Sequence, residues 1–153
     1  MYYAMVWGLM LVIPALSVII EAARTGAPDL IWLVAKWFVF WGIGIRLLTA
    51  GAKQVAQPSF TARTIFRMDS PDAEKLVTEI GFGNVAIGLV SALSPAFPAF
   101  VIPMALTGGL FLGLAGIKHI GNSARTGEES AAMLTDLIIG VVGISSAIVL
   151  LVR

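Results

Sequence analysis

Cysteine is absent from the 153 residues. Its absence excludes structural disulfides, thiolate metal centres, iron–sulfur clusters and a cysteine nucleophile. Histidine occurs once, as His119, so a single chain cannot build a bis-histidine haem or a histidine-rich zinc or copper site. Charge is scarce: ten basic and nine acidic residues make up 12% of the chain, and the net charge is +1. A soluble domain carries about 25% charged residues. Here 58% of the residues are apolar and the mean hydropathy is +0.93. So few charges cannot cover that much apolar surface. Soluble, disordered and nucleic-acid-binding classes are therefore excluded. A GxGxxG following a strand, a P-loop and a nucleophile elbow are all missing.

What is present is a set of long apolar runs. A bilayer core about 30 Å thick needs roughly 20 mostly apolar residues per helix. Five runs qualify, at about residues 3–20, 30–50, 76–94, 99–120 and 131–152. The expected fold is all-α: an integral membrane helical bundle of five transmembrane helices in one membrane domain spanning 1–153. The first run lacks a basic flank and exceeds the ~7–15 residues of a signal-peptide core, so it is read as a retained helix.

Lysine and arginine set the expected orientation. Arg46, Lys53, Arg63, Arg67 and Lys75 cluster around the connection between the second and third runs, and Lys118 and Arg125 lie between the fourth and fifth. The opposite side has Arg24 and Arg153. The basic side is expected to be cytoplasmic, with the N-terminus cytoplasmic and the C-terminus extracytoplasmic. A cysteine-free, compact multi-pass chain suits a bacterial cell inner membrane.

Local signals sharpen the helix ends. Ser70-Pro71-Asp72-Ala73-Glu74 reads as a helix start, with a serine cap, proline in the first turn and acids at the positive end of the dipole. Pro95 and Pro98 predict a tight hairpin between the third and fourth spans, and Pro14 and Pro103 predict kinks. Gly109–Gly113 with Gly116, the Gly81/Asn84/Gly88 face and the Gly140/Gly143/Ser146 face predict close helix contacts within the chain. Trp37 and Trp41, four apart, share a face and read as a packing stripe. Residues 57–68 alternate apolar and basic side chains. They predict a short interfacial helix with Phe60, Ile65 and Phe66 dipping into the membrane and Arg63 and Arg67 among the headgroups.

Ionisable side chains at membrane depth are costly and mark functional candidates. One expected cluster lies on the cytoplasmic half: Arg46, Gln54, Glu79, Asn84, Lys118, His119 and Asp136. Glu79 is expected to pair with Arg46, and Asp136 with Lys118 or His119. Left unpaired, the cluster would form a polar pocket for a quinone, a lipid headgroup or a small anion, or a proton relay, with Glu79 as the exchanging group. On the other half, Lys36 is expected to extend outward to Glu21 or Asp29.

The stretch Trp41-Gly-Ile-Gly-Ile-Arg46-Leu-Leu-Thr-Ala-Gly51-Ala-Lys53, the loop carrying Pro58 and Phe60, and Glu79-Ile-Gly81-Phe-Gly83-Asn-Val-Ala-Ile-Gly88-Leu resemble the first two helices of DoxX-like membrane proteins. The resemblance spans residues 30–153, and the first helix is an addition to a four-helix core. Glu79 and Lys53 match family positions. The resemblance implies a small membrane bundle of the kind that serves as a subunit of quinone-linked oxidoreductases or of membrane complexes tied to oxidative stress.

The expected function is a non-catalytic accessory or anchor subunit of a membrane complex. Its partners would be the lipid bilayer and other membrane subunits or further copies of itself. No cofactor is expected; a quinone or lipid is the ligand class such a chain would hold. A small oligomeric transporter or channel, and a lipid- or quinone-modifying enzyme, are the alternatives.

Overall fold

The computed structural model describes residues 2–27, 29–64, 66–121 and 127–153. Ile65 and Arg125 lie outside them. The described residues form six helices, a single 3₁₀ turn at Pro98–Phe100 and no strand. Helix α1 covers residues 2–25, α2 Leu30–Ala56, α3 Pro58–Thr64, α4 Pro71–Ala92, α5 Val101–Ile120 and α6 Gly127–Leu151. All except α3 are long and apolar enough to cross a membrane. The chain is a multi-pass membrane protein with an all-α bundle.

Two helices contain π-helical turns. In α1 these are Gly8–Val12, where the Ile13 N–H reaches back five residues to the Gly8 carbonyl. Pro14 supplies the cause: it has no N–H to donate to the carbonyl of Met10, so the ladder widens one turn before it. In α2 they are Phe38–Ile45, closed by the Arg46 N–H on the Trp41 carbonyl. The two π segments pack on one another around Met10, Val39 and Ile43, all of them buried. Pro103 interrupts nothing, contrary to expectation. It sits in the first turn of α5, where its missing N–H would have had no helical partner.

The caps follow the sequence. The Ser70 side chain accepts from the Ala73 N–H at 3.2 Å at the start of α4. Asp29 accepts from the Trp32 N–H at 3.1 Å at the start of α2. Gly26, at φ 77°, ends α1 in the left-handed region that favours glycine. The α4–α5 hairpin turns between Ala92 and Pro98, as Pro95 and Pro98 predict.

Two antiparallel seams organise the bundle, and both run through glycines. Along α2 and α4, Gly44 lies against the backbone of Ser91 and Ala92, Gly88 against Leu48, and Gly51 against Gly81 and Val85. Along α5 and α6, Gly140 lies against Gly109 and Gly113, Gly143 against Ala105, and Gly116 against Leu137. Backbones that approach this closely gain dispersion contact and lose little side-chain entropy, the usual basis of helix association in lipid. The glycine faces read from the sequence are intramolecular contacts. The apolar core between α1, α2, α5 and α6 holds Met10, Val39, Ile43, Leu112 and Ile139.

Candidate functional site

The α2–α4 seam fixes the depth of every polar group on those helices. Gly81 lies beside Gln54 and Val55, and Gly44 beside Ala92. Glu79 is therefore level with the end of α2 at Ala56, whereas Arg46 sits ten residues earlier, roughly 15 Å along the axis at about 1.5 Å per residue. The expected Glu79–Arg46 pair is not formed. Instead, Arg46 Nη1 pairs with Asp136 Oδ1 on α6. Asp136 is 5% exposed, and the Arg46 side chain 19%. Asp136, expected to pair with Lys118 or His119, takes Arg46 as its ion-pair partner; Lys118 is exposed on α5 and His119 half-buried. Arg46 and Asp136 thus join α2 to α6, with the ion pair well inside the bundle.

A second polar contact lies one seam step away. Asn84 Nδ2 donates to Gln54 Oε1 at 2.7 Å. Asn84 is 5% exposed, and its Oδ1 has no hydrogen-bond partner. The buried hydroxyls of Ser91, at the end of α4, and Ser94, in the turn after it, likewise have none. Unpaired buried polar atoms are costly, so this helix carries acceptors that its own bundle does not use.

Glu79 is exposed on the outer face of α4. Its neighbours on that face include Leu76 at 57%, Ile80 at 41% and Phe82 at 57% exposure. Gly83, one turn on, has open space where a Cβ would point. Lys53 is also exposed, with its Nζ 3.6 Å from the centre of the Phe60 ring. The candidate residues therefore separate into an interior pair (Arg46, Asp136), half-buried His119 in the last turn of α5, a seam pair (Gln54, Asn84) and two outward-facing groups (Glu79; Lys53 with Phe60). Two shallow apolar grooves of about 350 and about 310 Å³ flank α6, one lined by Gly113, Ile117 and Val141, the other by Leu30, Val34 and Val142. Neither reaches the polar groups.

At the opposite end of the bundle, Lys36 Nζ donates to both Glu21 oxygens at 2.7 and 2.8 Å, and Trp37 Nε1 donates to Oε2 at 2.6 Å. Trp41 Nε1 donates to Ser17 Oγ at 3.1 Å. The tryptophan stripe thus packs α2 on α1 through two indole hydrogen bonds, which the sequence reading did not foresee. The signal was available: Glu21 with Lys36, and Ser17 with Trp41, straddle the turn at 26–29 symmetrically, as an antiparallel hairpin requires. Arg153 Nη1 donates to both Asp29 oxygens at 3.0 Å, so the C-terminus and the α1–α2 turn share one end. The Trp32 N–H and the Arg153 guanidinium hold the Asp29 carboxyl below the usual carboxylate range.

Among the described residues, no group of three or more histidine or acidic side chains could hold a metal ion. The chain belongs to the DUF6790 family, a family of unknown function, whose model matches residues 1–153. No curated protein and no solved structure matches it.

Proposed function

We propose that this DUF6790 member is a non-catalytic accessory or anchor subunit of a membrane complex. Glu79 carries the reading. It lies near the α3 end of membrane-spanning α4, level with the end of α2, outward, among exposed Leu76, Ile80 and Phe82, and has no ion-pair partner among the described residues. Ionisable residues within membrane spans almost always face a protein interior or a cavity. A helix of another subunit, bringing a basic or hydrogen-bond-donating side chain over Gly83, would give this carboxylate the interior it lacks. The likeness to DoxX-like proteins over residues 30–153 makes a quinone-linked complex the first class to examine.

The orientation that goes with this reading places the α3 end in the cytoplasm, following the positive-inside rule, and the membrane is a bacterial inner membrane. The test is native mass spectrometry of the protein extracted gently from its own membrane without overexpression. Extra chains at fixed stoichiometry, lost in Glu79→Gln, are expected. A lone chain or a homo-oligomer overturns the reading.

A second reading, a small oligomeric transporter or channel, is supported by the Arg46–Asp136 ion pair inside the bundle. Asp136→Asn abolishing proton or solute flux in liposomes would favour it.

A further inference from the structure

Helix α3 is short, and its environment is mixed. Thr61 and Ala62 are buried, Ala62 against Ala73 and Val77 of α4. The chain beyond it folds back along it: the Phe66 N–H donates to the Thr61 carbonyl at 3.2 Å and the Met68 N–H to the Ala62 carbonyl at 3.0 Å. Arg67, at φ 55°, makes the turn between them. This compact element leaves large apolar side chains outside: Phe60 and Phe66 are each 44% exposed, Met68 49% and neighbouring Val55 37%.

Position and charge identify what covers them. A single residue, Gln57, separates α3 from the end of a membrane-spanning helix. The Phe60 ring turns back toward that helix and lies under the Lys53 ammonium, 3.6 Å from its centre, one turn before α2 ends. An ammonium on an aromatic face keeps its outward protons free for an anionic oxygen. Rings and a thioether beside a membrane exit, with a cation at their edge, match the boundary where acyl chains meet lipid phosphates. The acids lie on the continuing chain, where Asp69 and Asp72 side chains are 78% and 87% exposed; Asp69 draws Arg63 to itself at 2.9 Å.

We propose that Lys53, α3 and residues 66–68 form a leaflet-binding element, in which Phe60, Phe66 and Met68 enter the acyl boundary of a phospholipid leaflet and Lys53 faces its phosphates. The inference is independent of whether the chain serves as a subunit.

The test uses the full chain in phospholipid nanodiscs with single nitroxide labels at Phe66→Cys and Met68→Cys. Asp72→Cys serves as the aqueous reference and Leu89→Cys as the membrane reference. Both test labels are expected to collide more with molecular oxygen than with a water-soluble nickel chelate, giving depths between the two references. Adding Phe60→Ser and Phe66→Ser to Met68→Cys is expected to move the label to the Asp72 value, with circular dichroism confirming that the helices persist. Labels that match Asp72→Cys from the start overturn the proposal. So do labels shielded from both reagents, which would place a second copy or a partner protein on this face.

Discussion

Gly51 of α2 and Gly81 of α4 approach until a Cβ on Gly51 would lie 2.7 Å from the Gly81 carbonyl oxygen. The obstacle is backbone, so a side chain there forces the two helices apart. Gly51→Ala and Gly88→Ala, the latter 2.6 Å from the Leu48 nitrogen, are expected to cost about 1–3 kcal/mol each, the usual range for overpacking. Gly83→Ala, with open space at its Cβ, is expected to cost much less. Thermal unfolding in one detergent, followed by circular dichroism, separates the three.

Removing Asp136 strands the Arg46 charge in the bundle. Asp136→Ala is expected to destabilise by about 3–5 kcal/mol, because breaking one side of a buried pair costs far more than replacing both. The double variant Arg46→Met, Asp136→Leu is expected to recover most of the loss. If the double variant is no more stable than Asp136→Ala, the pair is not what holds α2 to α6.

The Asp29–Arg153 contact gives a pH dependence with a definite sign. The folded Asp29 carboxyl lies below its unfolded value of about 3.9. Its contribution is therefore present above that value and is lost as pH falls through the folded value. Carboxyl titration by NMR in micelles is expected to place the midpoint below about 3.9. Arg153→Ala is expected to move that midpoint upward and only partly restore it, since the Trp32 N–H remains.

The proposed orientation makes a labelling prediction. With no native cysteine, Asp69→Cys and Ala96→Cys carry no background. Both positions are exposed, at opposite ends of α4. An impermeant maleimide added to intact cells is expected to label Ala96→Cys and to spare Asp69→Cys until the membrane is opened. The reverse pattern would invert the proposed orientation.

The helices themselves were legible because apolar length is a local property. The Ser70 cap, the Pro95–Pro98 turn and the glycine faces depend on a few neighbouring residues each, and the structure has them. The glycines at 44 and 51, and at 81 and 88, even share a seven-residue spacing. Pairing between charges was not legible in the same way. Arg46 could reach an acid on α4 or on α6, and the choice depended on the stagger of α2 against α4, which backbone contact at Gly51 and Gly81 decides. Glu79 looked like an interior group because an ionisable side chain at membrane depth is costly. In a membrane helix the outward face is apolar as well, so depth alone does not tell inside from outside. Lys36, by contrast, had an acid within reach across a short turn, and Glu21 is its partner.

The π turns at Phe38–Ile45 also bear on how the length of this chain can vary. Each widened turn accommodates extra residue within the same rise, and Arg46 follows at once. Deleting one residue from 38–45 lets that segment close into a regular helix, so Arg46 keeps its face toward Asp136 and Gly51 its face toward Gly81. The same deletion in the regular stretch after Arg46 has no such slack and turns everything beyond it by about 100°. The irregular turn therefore acts as a phase reserve between the two halves of α2: the half before it is aligned to α1 and the half after it to α4. A single-residue deletion within 38–45 should be tolerated better than one within residues 47–55.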